Sequence, residues 1–209
     1  MKTFASIFVL AVIGFGIWWW GGRTLPAQVD QDSEVVELCF AKSELSPDSG
    51  FLDKYILRMT LMDGQTTGVL KILPAEKDAL IGGFAGSVEN NVADLLWSVE
   101  GEVMAATEEL QIMLGDNEAT IAKYELTLPA ISCEDLTERE AVETYLWENI
   151  ATLSPIAPVL GGNWYVVSAD IDLENNSGTA TYEDGHIQET RRFSYVLSAA
   201  GRVESLTIE

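Results

Sequence analysis

The segment YILRMTLMDGQTTGVLKIL, residues 55–73, decides the fold class of this chain. Its two halves are rich in the aliphatic, aromatic and β-branched side chains that favour strands. Between them, Asp63 and Gly64 form a dipeptide typical of a two-residue hairpin turn. We therefore predict two antiparallel strands, 55–62 and 66–73, joined by a tight turn.

The strand-and-turn pattern extends on both sides of this hairpin. Further strands are predicted at 35–42, 80–88, 108–114 and 118–126. Glycines at three positions of the 80–88 segment indicate β-bulges or close backbone approach: Gly82, Gly83 and Gly86. Residues 91–106 break the pattern, because Val92, Leu95, Leu96 and Val99 recur at helical spacing and predict a short helix or compact loop. About six strands would make residues 35–133 a small antiparallel meander or barrel-like domain.

The character of the sequence changes after Cys133. Thr137 and Glu140 have the spacing of a capping box, which predicts a helix start there. The helix would bury one stripe and run to about Leu153; the stripe is Ala141, Val142, Tyr145, Leu146 and Ile150. Four strands follow, at 164–173, 178–183, 186–197 and 202–208. Residues 134–209 are thus predicted to place one helix on a four-stranded sheet, and the whole chain is α+β, mostly β.

The N-terminal run TFASIFVLAVIGFGIWWW, residues 3–20, contains no charged residue. A helix of this length nearly crosses the hydrocarbon core of a bilayer, and tryptophans suit its interface. We predict a transmembrane anchor over residues 1–23 and a linker over 24–34, with the C-terminal part outside the cytoplasm. The alternative is a cleaved signal, cut after Ala27, and a secreted protein.

The charge of the remaining chain is strongly negative. The first 29 residues hold two of the 12 basic and none of the 33 acidic residues, so 10 basic and 33 acidic residues remain, a net charge of −23. Such a field repels nucleic acid phosphates and anionic lipid headgroups. Nucleic acid is therefore not expected as a partner.

Two cysteines, Cys39 and Cys133, lie near the two ends of the predicted β-rich domain. Outside the cytoplasm a pair of thiols tends to oxidise. We expect a structural disulfide that joins the first and last strands of this domain. Two buried free thiols are the alternative, and a catalytic cysteine is a third.

His186 is the single histidine, and it follows Asp184-Gly185 in a predicted turn. With Glu183 or Asp184 orienting it, it could act as a general base, but it is also an ordinary turn residue. Asp170, Asp172, Glu174 and Asn176 alternate like calcium ligands. The EF-hand pattern fails, however, because its glycine is missing and its twelfth position, Thr181, is not acidic. We expect no metal, no cofactor and no catalytic residue.

Aromatic residues are the remaining candidates for ligand contact. The weak candidates are Trp97, Trp164 and Tyr165, although aromatics at such spacings also build cores. In a strand Trp164 and Tyr165 point to opposite faces. One of them is therefore expected to be exposed.

Three segments, LPAEKDALIGGFAGSV (73–88), TEELQIMLGDNEATI (107–121) and VLGGNWYVVSADIDLENNSGTATYEDGHIQ (159–188), resemble uncharacterised membrane-anchored proteins of candidate-phyla bacteria with small genomes. The positions of Cys39-Phe40 and Cys133 fit the same resemblance. It implies a bacterial origin and an extracytoplasmic location. It carries no assigned functional residue.

These observations favour a non-enzymatic protein that is held at the cell membrane by a single span. Its ectodomain would bind a small ligand or another envelope protein. The alternative is an envelope hydrolase that uses carboxylates near His186.

Overall fold

A computed structural model of the chain describes residues 34–46, 50–75, 77–100 and 105–209, which belong to one compact unit, Glu34–Glu209. Eight strands close into an antiparallel barrel, and a helix then packs on a four-stranded antiparallel sheet. The predicted mostly-β, α+β class is confirmed. The anchor (1–23) and nearly all of the linker (24–34) lie outside the described residues. Within the described ranges, no helix has the length and apolar character that a membrane span needs.

The barrel strands pair in chain order. They are β1 Val36–Leu45, β2 Leu52–Met62, β3 Gln65–Leu73, β4 Leu80–Glu89, β5 Val92–Glu100, β6 Ala105–Leu114, β7 Glu118–Ile121 and β8 Leu126–Ile131. The predicted hairpin 55–73 is confirmed as β2 and β3, and Asp63 and Gly64 both have the positive φ that a primed turn requires. Apolar side chains fill the interior, including the fully buried Leu57, Leu70 and Leu128. Ligand contact therefore has to be sought on outer surfaces.

The prediction of a helix or compact loop over residues 91–106 is wrong. This segment forms β5, in which Ala93, Leu95, Trp97 and Val99 alternate into the barrel. Leu96 points outward and is 56% exposed. An apolar residue on the solvent side of a strand disturbs the alternation and imitates helical spacing. The predicted strand 118–126 is also wrong at its end, because β7 stops at Ile121, a 3₁₀ turn over Ala122–Tyr124 follows, and a separate strand β8 begins at Leu126. With β5 and β8 the barrel has eight strands rather than about six.

Two of the three glycines in β4 lie where strands approach closely, and β4 pairs with β3 and β5 without a register shift. A Cβ atom on Gly82 would lie 2.1 Å from the carbonyl oxygen of Ser98, and one on Gly86 2.0 Å from that of Asp94. On Gly83, which is exposed, the nearest atom would be 3.7 Å away. Close backbone approach, rather than a bulge, explains these positions.

The barrel closes through a short seam between β1 and β8. Only two residue pairs form it, Cys39 with Ile131 and Phe40 with Ala130, whereas β1 and β2 share ten pairs. A disulfide between Cys39 and Cys133 lies beside this seam, as predicted. Its second partner is not in the last strand, however, but is the first residue of the helix.

The helix, α1, spans Cys133–Leu153, and Ser132 is its N-cap, accepting a hydrogen bond from the Asp135 N–H at 3.0 Å. The predicted start at Thr137 is wrong by one turn, because Ser132 takes the capping role that the Thr137–Glu140 spacing imitates. Thr137 instead donates to the carbonyl of Cys133 at 2.7 Å. The predicted end at Leu153 is confirmed.

Helix α1 contacts both the barrel and the sheet. Val142, Leu146 and Ile150 pack on the sheet, while Leu136 packs against Ile56 on the outer face of the barrel. Ion pairs also join the helix to the barrel. Glu140 accepts from Lys71 at 2.5 Å and from Arg58 at 3.2 Å, and Glu143 accepts from Lys54 at 2.9 Å. The division into domains 35–133 and 134–209 stays a prediction.

The sheet has the order β12-β11-β10-β9. Its strands are β9 Tyr165–Asp172, β10 Ser177–Glu183, β11 Gln188–Leu197 and β12 Val203–Ile208. All four predicted strands are confirmed, with ends that differ by one or two residues. His186, predicted to begin the third strand, lies in the turn before it.

Candidate functional site

One end of the four-stranded sheet brings together most of the residues that the sequence singled out. Trp164 and Tyr165 lie where β9 begins, and Glu183, Asp184 and His186 lie where β10 ends. Between α1 and β9 the chain passes over this end as a connection, residues 154–163, which we call the Leu160 loop.

The Asp184 carboxylate fixes the Leu160 loop to the turn between β10 and β11. The residue is only 7% exposed. One oxygen, Oδ1, accepts from the backbone N–H groups of His186 and Ile187, both at 2.9 Å. The other, Oδ2, accepts from the N–H of Val159 in the loop. Three backbone N–H groups thus donate to one side chain. These hydrogen bonds are strongest when the carboxyl group is ionised, so the ionised form holds the loop and the turn together.

These hydrogen bonds lower the pKa of Asp184 below its ordinary value. The Ile187 N–H contributes most, and burial opposes the shift; the N–H groups of Val159 and His186 and the positive charge of His186 support it. A carboxyl group whose pKa is lower in the folded than in the unfolded protein stabilises the fold above the unfolded pKa. That stabilisation is lost as the pH falls through the folded pKa.

Asp184→Asn is therefore expected to destabilise the protein at pH 7, because an amide N–H₂ would replace one of the two accepting oxygens. The difference from the wild type should shrink below about pH 4, where an unperturbed Asp becomes protonated. Urea unfolding of both proteins between pH 7 and pH 2.5 measures it. Asp170→Asn, on an exposed carboxylate, is the control. A difference that stays constant over this range would contradict the role given to Asp184.

Buried aromatic residues hold the base of the Leu160 loop. The indole N–H of Trp164 donates to the carbonyl of Ile156 at 2.8 Å, and its ring packs edge-on against Tyr182 with centroids 5.0 Å apart. Ser154 donates to the same carbonyl at 3.0 Å. A Cβ atom on Gly162 would lie 2.7 Å from the carbonyl oxygen of Asp184, so loop and turn pack tightly. The loop is held at both its base and its middle.

Leu160, at the tip of this loop, is 86% exposed and has a φ of 52°. Among the described residues, the other non-glycine residues with positive φ are polar: Asp63, Asn90, Asn91, Glu125 and Asn176. The left-handed conformation costs a residue with a Cβ atom about 1–2 kcal/mol. An apolar side chain is therefore held in water and in an unfavourable backbone conformation at once.

The Leu160 loop presents an uncharged, apolar surface. Residues 154–163 contain no charged residue, although 22% of the chain is charged. Pro155, Ala157, Pro158 and Val159 are exposed together with Leu160. Contiguous exposed apolar residues on a highly charged protein are typical of a contact surface.

The other predicted site residues have different surroundings. Trp97 is fully buried in the barrel and donates to the carbonyl of Gly82 at 2.9 Å, and Trp164 is buried in the second core. Tyr165, 47% exposed, is the surface member of the pair 164–165, and its hydroxyl donates to Glu183. The ligand-binding role of all three stays a prediction, and only Tyr165 has the exposure for it.

His186 is exposed, and in the described part of the chain its side chain makes no hydrogen bond. The oxygens of Asp184 are taken by backbone donors. Asp172, one of the alternating acids, binds the side chain and backbone of Asn175 and closes a turn. No group of three potential metal-binding side chains occurs among the residues described.

Two depressions with volumes above 500 Å³ lie on the described surface. A groove of about 710 Å³ runs over the outer wall of β4, β5 and β6, and Leu96 and Glu109 line it. A cleft of about 590 Å³ lies where barrel, helix and the β11–β12 hairpin meet, beside Arg58 and Cys133. The Arg58 guanidinium in this cleft is already bound to Thr137 and Glu140. Among the residues that line these two depressions, no non-glycine residue has a positive φ, in contrast to Leu160.

Sequence reasoning missed the Leu160 loop. Its prolines and paired glycines indicate only a helix end, and Asp184 lies next to His186 in the sequence but 25 positions from Val159. The absence of charge over ten residues does not identify the loop, because residues 79–88 are equally uncharged and lie almost entirely in β4. Comparison with models of known protein families, with curated proteins and with solved structures finds no match to this chain.

Proposed function

We propose that this protein is a membrane-anchored, extracytoplasmic interaction module that binds another envelope component through the Leu160 loop. The observation that carries the proposal is Leu160 itself, exposed and in a left-handed conformation on a loop fixed by Asp184. Conformational strain of this kind is kept where the surroundings enforce it, and such places cluster at functional sites. A loop already fixed in shape loses little conformational freedom when it binds.

Other observations support the proposed location at the membrane, outside the cytoplasm. The uncharged run 3–20 has the composition of a membrane span, and a disulfide is typical of proteins outside the reducing cytoplasm. A tether to the membrane raises the effective concentration of the module near other membrane components. A contact of modest area would then be sufficient for binding.

The alternative, an envelope hydrolase that uses carboxylates near His186, has less support. Backbone donors occupy both oxygens of Asp184, and Glu183 accepts from the Tyr165 hydroxyl. A general base needs an orienting group and a proton to abstract within hydrogen-bond reach. Both carboxylates thus already have donors, and no hydrogen bond among the described residues joins either of them to the His186 ring.

Leu160→Asn is expected to remove binding without loss of stability. Asparagine tolerates the left-handed conformation, so the free energy of unfolding should rise by about 0.5–1 kcal/mol. The matched control is Leu96→Asn, the same chemical change at an exposed site on the barrel. Urea unfolding gives the stabilities. Quantitative mass spectrometry of the full chain, purified with its bound components from its own membranes, gives the binding.

Components that bind through the loop should be depleted with Leu160→Asn and retained with Leu96→Asn. Equal recovery with both variants would contradict the proposal. A large loss of stability in Leu160→Asn would contradict the description of Leu160 as a strained, solvent-exposed residue.

A further inference from the structure

We infer that the partner of the Leu160 loop is a protein that offers an apolar pocket bordered by basic side chains. The inference rests on the proposed function, because it names the kind of component that the loop binds. Shape, charge and rigidity of the loop support it.

The shape of the loop fits a pocket better than a plane. Leu160 projects from a turn formed with Gly161 and Gly162, and the N–H of Gly162 donates back to the carbonyl of Val159 at 3.0 Å. Beside the leucine, the exposed apolar side chains of the loop are those of Pro155, Ala157, Pro158 and Val159. One prominent side chain within a small apolar area is the form that anchor residues take in protein interfaces, where they fill a pocket on the partner.

The charge of the chain around the loop indicates which side chains surround the pocket on the partner. The loop itself is uncharged, and the adjoining end of β10 carries the half-buried carboxylate of Glu183, while Asp184 beside it is buried. The chain beyond residue 29 has a net charge of −23. A partner with basic side chains around its pocket is attracted by this field, whereas anionic lipids and a second copy of this chain are repelled.

The rigidity of the loop favours one defined partner over many. The loop position depends on Asp184 at Val159 and on Trp164 at Ile156, two contacts to different parts of the loop backbone. A flexible loop could adapt to several surfaces, but a fixed one recognises only a complementary shape. The strained conformation of Leu160 is then part of the recognition.

The test begins with a photo-crosslinker in the full-length protein in its own membranes. Leu160→p-benzoylphenylalanine is compared with the same replacement at Leu96. Val159→p-benzoylphenylalanine is a second loop site without a left-handed backbone, in case the bulky side chain is not accepted at 160. Mass spectrometry identifies each adduct and maps the crosslinked residue of the partner.

A supporting result has three parts. The adduct formed from the loop, and not from position 96, must be a protein crosslinked at an apolar pocket with lysine or arginine at its border. The purified partner must then bind Leu160→Asn roughly tenfold or more weakly than the wild type, as expected for an interface anchor, while Leu96→Asn stays near the wild type. Wild-type binding must also weaken as salt is added.

Other outcomes separate the inference from the proposed function. Adducts with lipid, with glycan or with a second copy of the chain would overturn the partner class and leave a binding loop. A protein pocket with an acidic border, or binding that strengthens with salt, would do the same. No loop adduct above that of position 96, or unchanged affinity of Leu160→Asn for the protein found, would overturn both.

Discussion

Replacing Cys39 and Cys133 together by alanine is expected to lower the free energy of unfolding by about 4–5 kcal/mol. The bond joins residues 94 positions apart, and opening a loop of that size returns a large conformational entropy to the unfolded chain. Domains of ordinary stability unfold with about 5–15 kcal/mol, so the change is a large fraction of the total. Urea unfolding of the oxidised wild type and of the double variant measures the difference.

The reduced wild type is the matched control, because it lacks the bond but keeps both sulfur atoms. It should unfold at nearly the same urea concentration as the double variant. A loss below about 1 kcal/mol would mean that the short seam between β1 and β8 and the charged contacts of α1 hold the barrel closed without covalent help. A reduced protein as stable as the oxidised one would lead to the same conclusion.

Gly82→Ala is expected to destabilise the barrel by about 3 kcal/mol, at the upper end of overpacking effects. The added methyl group would lie 2.1 Å from the carbonyl oxygen of Ser98 and 2.7 Å from the indole nitrogen of Trp97. Relief requires β4 and β5 to separate, which would also weaken the hydrogen bond from Trp97 to the Gly82 carbonyl. Thermal and urea unfolding report the loss.

Gly83→Ala is the control in the next position of the same strand. Its methyl group would face solvent with 3.7 Å to the nearest atom, so stability should be unchanged or should rise by up to about 1 kcal/mol. If the two variants had equal stability, close approach of β4 and β5 would not be the reason for glycine at position 82.

Local signals in the sequence were sufficient for most of the fold. The hairpin 55–73 was predictable because Asp63 and Gly64 can adopt positive φ and the flanking residues favour strands. The four-stranded sheet was predictable for the same reason. Prediction failed over 91–106, where the outward Leu96 breaks the alternation that identifies a strand. The turn before this strand, Asn90-Asn91, also has positive φ, as a primed hairpin turn requires, but an Asn-Asn pair is a weaker turn signal than Asp-Gly.

The candidate site was less predictable, because its geometry depends on contacts between distant residues. The residue before Leu160, Val159, is bound by Asp184, which lies 25 positions further along the chain, and sequence spacing gives no measure of that contact. Trp164 illustrates the opposite case. An aromatic residue that could have lined a groove has its indole N–H bound at the base of the loop. Its burial in the tertiary structure makes Trp164 a core residue rather than the lining of an open groove.

The disulfide at the start of α1 also determines how a mechanical load passes through the molecule. A pull applied between residue 34 and the C-terminal end enters at β1 and reaches Cys39 within a few residues. From there it crosses the covalent bond to Cys133 and continues along α1 into the sheet. Residues 40–132, nearly the whole barrel, are bypassed. The covalent path of such a load is thus one disulfide and one helix. The barrel takes load only where it contacts them, through the pairing of Val36–Cys39 with β2 and the ion pairs of Glu140 and Glu143.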